Sequence, residues 1–558
     1  LMLLHLESAP LGVRCAEIAA TTWQVAPLFL LRSLTLIHKP LAKVVLAVAV
    51  FCLWHPPLLA AERLTVKAAG LEIPLDLQQL EAWALQPKDN KELGPWLNLL
   101  DPNTQRSIRE LLLQPLQLKG SSVAPIINSW AGQQLVQQLG SLLRSPQGDG
   151  GELLLNLLQQ SNFANVLALL RAAPVSELRL DLDALTELAE RLRLQLQQQI
   201  SLQKQLRSLA LTPSTFAALP VAPLNAENSI QITLPVAHRL APIPLQLWWP
   251  KGKSSASHWL LLSHGLGGSI DQLAWLGRGL AAQGWPVVSV QHQGSDAEAV
   301  RGLLEGRAAL PGIESLPNRI QDFEAISAAI ASQQLRFGPH PTPPRLMLLG
   351  HSLGGVAGLL WAGAELQAGL EQRCAKAMLS IPVLDSSYLL QCQLTALNLP
   401  KINPPTNLAA LVAINGFGSL LWGDAGLRSL DLPVLMLGGS LDLVTSPLRE
   451  QLLPFQQLPN PRSRLAVIEG ASHFSAVGLE KEQALMHLGA DFVGKDPQQV
   501  QTMLLEIQIS FLRSIEEGQS APLGVFNEGA VQAYVIDRKL VKQLRPLQQF
   551  SEVEAGIQ

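Results

Sequence analysis

Hydrophobic residues recur along the chain with two different spacings, and the change between them falls near residue 228. Between residues 62 and 205, leucine-rich stretches such as DLQQLEAWAL and TQRSIRELLLQPL place apolar residues three and four positions apart. Residues at this spacing share one face of a helix. The spacing therefore predicts an all-α domain over residues 62–205, a stretch without histidine and without a nucleophile clustered with a base.

After residue 228, short apolar runs alternate with helical segments. The runs are SIQITLPV, LQLWW, WLLLSH, PVVSVQ, RLMLLGH, ALVAIN, PVLMLGG and RLAVIEG, and most are followed by glycine or polar residues. Buried strands that are joined by crossover helices form a mostly parallel sheet. We therefore predict an α/β catalytic domain over residues 228–518, with a linker over residues 206–227 and a C-terminal tail over residues 519–558.

The first segment, residues 1–61, has the features of an export signal. An uninterrupted apolar run, Val44–Trp54, follows the basic residues Lys39 and Lys43 and precedes two alanines. This order is typical of a secretory signal peptide, and the run is shorter than the ~20 residues that span a bilayer. The sequence thus predicts export to a periplasm or lumen after cleavage, or anchorage in a membrane through the same segment left uncleaved.

The charge balance argues against nucleic acid as a partner. The chain carries 41 basic and 44 acidic side chains, for a formal charge of −3, and contains no run rich in lysine or arginine. Binding to a phosphate backbone requires such a basic patch. We expect a small-molecule ligand instead, with peripheral contact to a membrane as a further expectation.

The four cysteines do not form a recognisable metal motif. Neither Cys-x-x-Cys nor His-Glu-x-x-His occurs in the chain, and the common zinc sites require such spacings. Cys374 and Cys392 would pair in an exported protein, or they would remain as two buried thiols. We expect no metal ion and no organic cofactor.

The segment RLMLLGHSLGGVAGLLW places Ser352 in the pattern G-x-S-x-G between an apolar run and a helical segment. In this context the pattern is typical of a nucleophile elbow, a tight strand-to-helix turn that presents the serine hydroxyl above a sheet. The residues two positions before and after such a serine must be small, which explains Gly350 and Gly354. The alternative is a glycine-rich turn without chemistry.

A second glycine-rich segment, HGLGG, begins at His264 directly after another predicted strand. Many α/β-hydrolases use a loop of this form to turn main-chain N–H groups toward a developing oxyanion. The candidate donors are the N–H of Leu266 or Gly265 and the N–H of Leu353, directly after the nucleophile. We expect His264 to be a structural hydrogen-bonding residue rather than a base.

The expected acid and base follow the serine in the order typical of this fold. Asp442 comes after the run PVLMLGG, 90 residues beyond Ser352, and His473 comes after RLAVIEG, 31 residues further on. In such a triad, the histidine deprotonates the serine and the aspartate orients the histidine. Asp385, in IPVLDSS, is the rival acid. Asp296, in HQGSD, would either line the pocket or cap a loop.

The motifs HGLGG, HQGSD, GHSLGG, GGSLD and EGASHFS resemble, in this order, those of α/β-hydrolases related to plasma-type platelet-activating factor acetylhydrolases and dienelactone hydrolases. That resemblance covers residues 228–478. Residues 62–190 resemble the helical domain of unknown function that precedes such hydrolases in cyanobacteria. The resemblance implies an α/β-hydrolase fold and esterase or lipase chemistry. Because the acetylhydrolases place their acid one strand earlier than Asp442, it does not imply their lipid specificity.

The motifs together predict a serine esterase that acts on a lipid or a short acyl ester through an acyl-enzyme. Ser352, Asp442 and His473 would form the catalytic triad, without a cofactor. A thioesterase or an acyltransferase would use the same residues. The alternative from another class is a catalytically silent binding protein, in which the helical half holds a partner.

Overall fold

The computed structural model describes residues 60–544 with several gaps. The gaps are residues 69, 87–92, 94–96, 98–100, 116–127, 147–149, 161–162, 215, 217–226, 253–255, 306, 310, 340, 380–384, 398, 400–401 and 479–495. The apolar run of the predicted export signal lies outside the described residues. Of the helices in the described part, none combines the length and the apolar character that crossing a bilayer requires.

The described residues form two compact units. The smaller unit comprises residues 60–64, 75–113 and 167–178, and the larger comprises residues 65–74, 114–166 and 179–544. The helices of the N-terminal part follow the predicted spacing of apolar residues and are distributed over both units. They are α1 (Leu77–Leu85), α2 (Pro102–Leu113), α3 (Trp130–Leu142), α4 (Gly150–Gln160), α5 (Val166–Arg171) and α6 (Leu182–Ser208).

The prediction of an all-α domain over residues 62–205 needs a correction, because this region also contains strands. The sequences of the first two strands, RLTVKA and LEIPLD, alternate apolar and polar residues, and this period of two favours a strand over a helix. The leucine-rich helices around them obscured this local pattern. Four strands of the described residues form a small sheet in the order β2-β1-β4-β3: β1 (Arg63–Ala68), β2 (Leu71–Asp76), β3 (Leu143–Arg144) and β4 (Glu177–Asp181).

The predicted α/β sheet is confirmed, and it has ten strands in the described residues, in the order β13-β14-β12-β11-β10-β9-β7-β8-β6-β5. Six adjacent strands are parallel: β8, β7, β9, β10, β11 and β12. At each edge of the sheet, two further strands pair antiparallel with their neighbours. Two of the edge strands come from the predicted C-terminal tail. The strands are β5 (Glu227–Leu234), β6 (Ile243–Pro250), β7 (His258–Ser263), β8 (Val287–Val290), β9 (Arg345–His351), β10 (Leu408–Ile414), β11 (Val434–Gly439), β12 (Arg464–Glu469), β13 (Gly524–Glu528) and β14 (Val531–Ile536).

Helices cover both faces of this sheet, because the apolar side chains of its central strands point alternately to either side. In β9, Leu346 and Leu348 face one apolar cluster, and Met347 and Leu349 face the other. The α-helices that follow β6 in the described residues are α7 (Ala274–Ala282), α8 (Ala297–Leu304), α9 (Leu316–Ala331), α10 (Leu353–Trp361), α11 (Leu370–Ala377), α12 (Ser387–Gln393), α13 (Ser419–Trp422), α14 (Leu453–Phe455), α15 (Pro497–Glu516) and α16 (Arg538–Val541).

The long helix α6 packs with the sheet in the larger unit. Its residues Leu202 and Leu206 are fully buried in the cluster that also contains α9 and α10. The Gln199 side-chain amide donates a hydrogen bond to the main-chain oxygen of Asp442 at 3.3 Å. The C-terminal half of α6 therefore belongs to the core of the α/β fold and touches one of the loops that carry candidate site residues.

Cys374 and Cys392, for which the sequence allowed either a disulfide or two free thiols, are joined in a disulfide. Cys374 lies in α11 and Cys392 in α12, with their Cα atoms 5.5 Å apart. Both helices belong to the insertion between β9 and β10. The bond ties the two helices of this insertion together.

Candidate active site

Ser352 occupies the turn between β9 and α10, as the motif predicts. Its backbone has φ 52° and ψ −119°, a positive φ that residues other than glycine adopt only rarely. The turn is tight: a Cβ on Gly350 would lie 2.4 Å from the main chain of Gly354, and one on Gly354 would lie 2.5 Å from the oxygen of Ser263. This strained strand–turn–helix geometry is that of a nucleophile elbow.

The structure brings His473 and Asp442 together. Asp442 follows β11 and His473 follows β12, and because these parallel strands are neighbours, their following loops meet at one edge of the sheet. His473 Nδ1 lies 2.9 Å from Asp442 Oδ2. A carboxylate accepts hydrogen bonds, so Nδ1 carries a proton and Nε2 is the ring nitrogen that could act as a base.

The main chain of His473 is also held in place. Its carbonyl oxygen accepts hydrogen bonds from Asn415 Nδ2 and from His351 Nε2, each at 3.1 Å. Asn415 follows β10, and His351 directly precedes Ser352. Burial lowers the pKa of His351 to about 3, so its ring is neutral at physiological pH. The candidate base is therefore held at the end of β9, the strand that leads into Ser352, and at the end of its neighbour β10.

The HGLGG loop lies against the candidate nucleophile, Ser352. A Cβ on Gly265 would come within 3.0 Å of the Ser352 Cβ. The N–H of Gly267 donates to the oxygen of Ser295, and that of Gly268 to the oxygen of Gly265. In contrast, the N–H groups of Gly265 and Leu266 have no acceptor among the described residues.

The third predicted donor, the N–H of Leu353, also lacks an acceptor in the described structure. Leu353 is the first residue of α10, where main-chain N–H groups have no partner within the helix. No acceptor for this N–H occurs in the described part of the chain either. The three predicted donors thus have no acceptor among the described residues; Leu353 directly follows the candidate nucleophile, and Gly265 lies against it.

His264 is a structural hydrogen-bonding residue. Its Nε2 accepts the main-chain N–H of His292 at 3.0 Å, so Nδ1 carries the proton and donates to the oxygen of Gly265 at 2.7 Å. Burial, followed by the nearby Arg319 charge, holds the pKa of His264 well below its usual value. Both ring nitrogens are engaged, which leaves neither free to act as a base.

The rival acid Asp385 does not contact His473. Its Oδ1 accepts the N–H of Ser446 at 3.1 Å and the hydroxyl of Ser387 at 3.3 Å. Burial, followed by the nearby carboxylate of Glu450, raises the pKa of Asp385 well above its usual value. Asp385 is thus a buried carboxyl group that holds the loop after Asp442 through the main chain of Ser446.

Asp296 caps a helix. Its Oδ1 accepts the N–H of Ala299 in the first turn of α8, and its Oδ2 accepts the side-chain amide of Gln291. Of the two roles considered from the sequence, pocket lining and capping, the structure supports capping, here of a helix rather than of a loop. No group of three or more potential metal ligands is arranged to hold an ion among the described residues.

Sequence reasoning missed three residues around the site. Asn415 holds the His473 main chain, the Thr445 hydroxyl donates to Asp442 Oδ2 at 2.7 Å, and the Arg319 guanidinium binds the HGLGG loop. A signal existed for Arg319: it and Asp322 interrupt the apolar face of the helical stretch RIQDFEAISAAI, where a charge needs a buried partner. Asn415 and Thr445 lack such a signal.

Two family models match separate parts of the chain. Residues 60–181 match a family described as "Alpha/beta hydrolase of unknown function (DUF1400)". Residues 254–413 match a family described as "Serine aminopeptidase, S33", a segment that includes the HGLGG loop and Ser352 and ends before Asp442 and His473. No curated protein sequence matches the chain. The fold and both matches indicate a hydrolase and support an α/β-hydrolase family for this chain.

Proposed function

We propose that this protein is a serine hydrolase that cleaves carboxylic esters, with Ser352 as nucleophile, His473 as base and Asp442 as the orienting acid. The observation that carries the proposal is the 2.9 Å contact between His473 Nδ1 and Asp442 Oδ2 beside an elbow serine. A solvated surface histidine or a plain glycine-rich turn would not require this pairing.

In the proposed reaction, His473 Nε2 removes the hydroxyl proton of Ser352 as the serine oxygen attacks the ester carbonyl. The carbonyl oxygen becomes negatively charged and accepts hydrogen bonds from two N–H groups. One is that of Leu353, and the other is that of Gly265 or Leu266. His473 then donates its proton to the departing alcohol. A water molecule, deprotonated by the same ring, hydrolyses the acyl-enzyme and releases the acid.

Apolar side chains beside the site favour an acyl ester as substrate. Leu441 directly precedes Asp442 and is 44% exposed, although it is a large apolar residue. Phe474 stands edge-on to the His473 ring, with the two centroids 5.4 Å apart. Such side chains suit a lipid or a short acyl group, and the exposed leucine also suits contact with a membrane surface.

The disulfide between Cys374 and Cys392 supports the proposal that the protein acts in an oxidising compartment after export, because such bonds persist mainly there. A thioesterase or an acyltransferase remains an alternative, since both proceed through the same acyl-enzyme. A silent binding protein is disfavoured because it has no need for unpaired N–H groups around a strained serine.

The test is labelling with a fluorophosphonate probe, followed by a panel of esters and thioesters of increasing acyl length. Wild-type protein should be labelled, and Ser352→Ala should be neither labelled nor active, with a loss of about 10⁴-fold or more. Absence of labelling and of hydrolysis in folded wild-type protein would overturn the proposal in favour of a binding protein. A clear preference for thioesters would move the reaction to the thioesterase class.

A further inference from the structure

The guanidinium of Arg319 is buried beneath the HGLGG loop. Arg319 lies on α9 and has no exposed surface. Its Nη1 donates to the oxygen of His264 at 2.6 Å, and its Nη2 donates to the oxygen of Gly265 at 3.1 Å. Its Nε donates to the hydroxyl of Ser295 at 3.0 Å.

These two carbonyls belong to the two peptide groups that carry candidate oxyanion donors. In a planar trans peptide, the C=O of one residue and the N–H of the next point in opposite directions. Holding the oxygen of His264 against Arg319 therefore turns the N–H of Gly265 away from it. The oxygen of Gly265 is held by Arg319 together with His264 Nδ1 and the N–H of Gly268, which does the same for the N–H of Leu266. These are the N–H groups without an acceptor among the described residues.

The carboxylate of Asp322 forms no hydrogen bond with the Arg319 guanidinium. Asp322, one turn further along α9, binds Arg239 through both oxygens at 2.7 Å and His292 at 2.7 Å. Burial lowers the pKa of Arg319 to about 9, which leaves the group charged at neutral pH. A charged donor on a carbonyl oxygen polarises the whole peptide group and makes its N–H a stronger donor.

We propose that Arg319 is a positioning residue for the oxyanion hole, which orients and polarises the peptide groups that present the N–H of Gly265 and of Leu266 to the substrate oxygen. The inference rests on the proposed esterase function, and it assigns a role to a residue that does not itself touch the substrate. Because the oxyanion exists only in the transition state, losing its support should lower kcat and leave KM nearly unchanged.

The experiment compares Arg319→Met and Arg319→Lys with Arg464→Met. Arg464 is also buried and donates to main-chain oxygens, those of Ala521, Pro461 and Ser463, at the far end of β12 from His473. For each folded variant, kcat and KM for an ester and the inhibition constant of a phenylboronic acid are measured. The boronic acid forms a tetrahedral adduct with an active serine and so reports on the oxyanion hole.

Arg319→Met should lower kcat about 10- to 100-fold, with KM changed less than threefold and boronic acid affinity lowered by a similar factor. Arg319→Lys, which keeps the charge but not the forked geometry, should lie between this variant and wild type, and it serves if Arg319→Met does not fold. Arg464→Met should keep the wild-type kcat.

A wild-type kcat in the Arg319 variants would overturn the inference. A rise in KM with unchanged boronic acid affinity would also overturn it. The same losses in Arg464→Met would overturn it as well, because a general stability defect would then explain the effects of the Arg319 variants. Wild-type protein that neither hydrolyses esters nor labels at Ser352 would instead overturn the proposed function itself.

Discussion

At the residue scale, the most constrained group in the candidate site is the carboxylate of Asp442. Its Oδ1 accepts the N–H groups of Val444 and Thr445, and its Oδ2 accepts the Thr445 hydroxyl and His473 Nδ1. Four donors leave the carboxylate little freedom to turn away from the imidazole. Asp385 makes no such contact with His473, so the two aspartates should respond differently to the same substitution.

Asp442→Asn should lower kcat by about 10⁴-fold, because an amide in this place favours the wrong tautomer of His473. Asp385→Asn should change kcat less than threefold, because an amide resembles the protonated carboxyl group that its surroundings favour. Steady-state ester hydrolysis measures both, after circular dichroism has established that both variants are folded. The reverse ranking would transfer the role of the acid to Asp385.

Asp385 should make stability depend on pH. Its pKa is raised in the folded protein by burial and by Glu450, whereas the unfolded chain titrates near the usual value of about 3.9. Above that pH the unfolded state has lost the proton that the folded state still holds, so the free energy of unfolding falls as the pH rises toward the folded pKa.

Asp385→Asn removes this titration, so its free energy of unfolding relative to wild type should increase from pH 4 to pH 8. Denaturant unfolding at several pH values measures the difference. Asp431→Asn, at an exposed carboxylate, is the control and should show no such trend. A constant difference between Asp385→Asn and wild type across this range would contradict the interpretation.

At the scale of elements, the elbow between β9 and α10 depends on glycines at positions where a Cβ would collide with the main chain. The close approach at Gly350 is to main-chain atoms of Gly354 and Gly355, which cannot move without unwinding the start of α10. The same first turn presents the N–H of Leu353. The absence of a side chain at Gly350 is therefore required both for the turn to form and for the position of the Leu353 N–H.

Gly350→Ala should lower the free energy of unfolding by about 1–3 kcal/mol, the usual effect of overpacking, and should abolish most labelling of Ser352. Gly252→Ala is the control, because a Cβ there would meet no atom within 4 Å; it should shift stability by less than about 0.5 kcal/mol. Thermal unfolding and probe labelling measure the two effects. A Gly350→Ala variant with wild-type stability and labelling would show that the elbow can relax.

At the scale of the whole molecule, the N-terminal part of the chain does more than precede the α/β fold. The larger compact unit includes α6, and Leu202 and Leu206 of this helix are buried with the residues of α9 and α10. Gln199 binds the main chain of Asp442. Changes in α6 should therefore reach both the stability of the α/β fold and the loop of the candidate acid.

Leu206→Ala should destabilise the protein by about 2–5 kcal/mol, because it leaves a cavity at a fully buried position. Leu185→Ala, on the same helix at a residue that is 40% exposed, should change stability by less than about 0.5 kcal/mol. Denaturant unfolding compares the two. Equal effects would indicate that the end of α6 is not part of the core.

Features that depend on near neighbours in the chain could be predicted from the amino-acid pattern. The runs from WLLLSH to RLAVIEG are strands because their apolar residues suit a buried sheet, and the elbow at Ser352 follows from glycines two residues to either side of the serine. The loop after β7 was predictable for the same reason. The strands in the N-terminal region were missed because their short period-two patterns lie among leucine-rich helices.

Which distant groups meet depends on the packing of the folded chain. Asp442 and Asp385 both follow apolar runs, and the pairing of Asp442 with His473 depends on β11 and β12 being neighbours in the sheet. Arg319 reaches the HGLGG loop because α9 packs beneath it, although 54 residues separate Arg319 from Gly265 in the chain. Such contacts join residues far apart in sequence, and their free energy depends on burial, which a local pattern does not record.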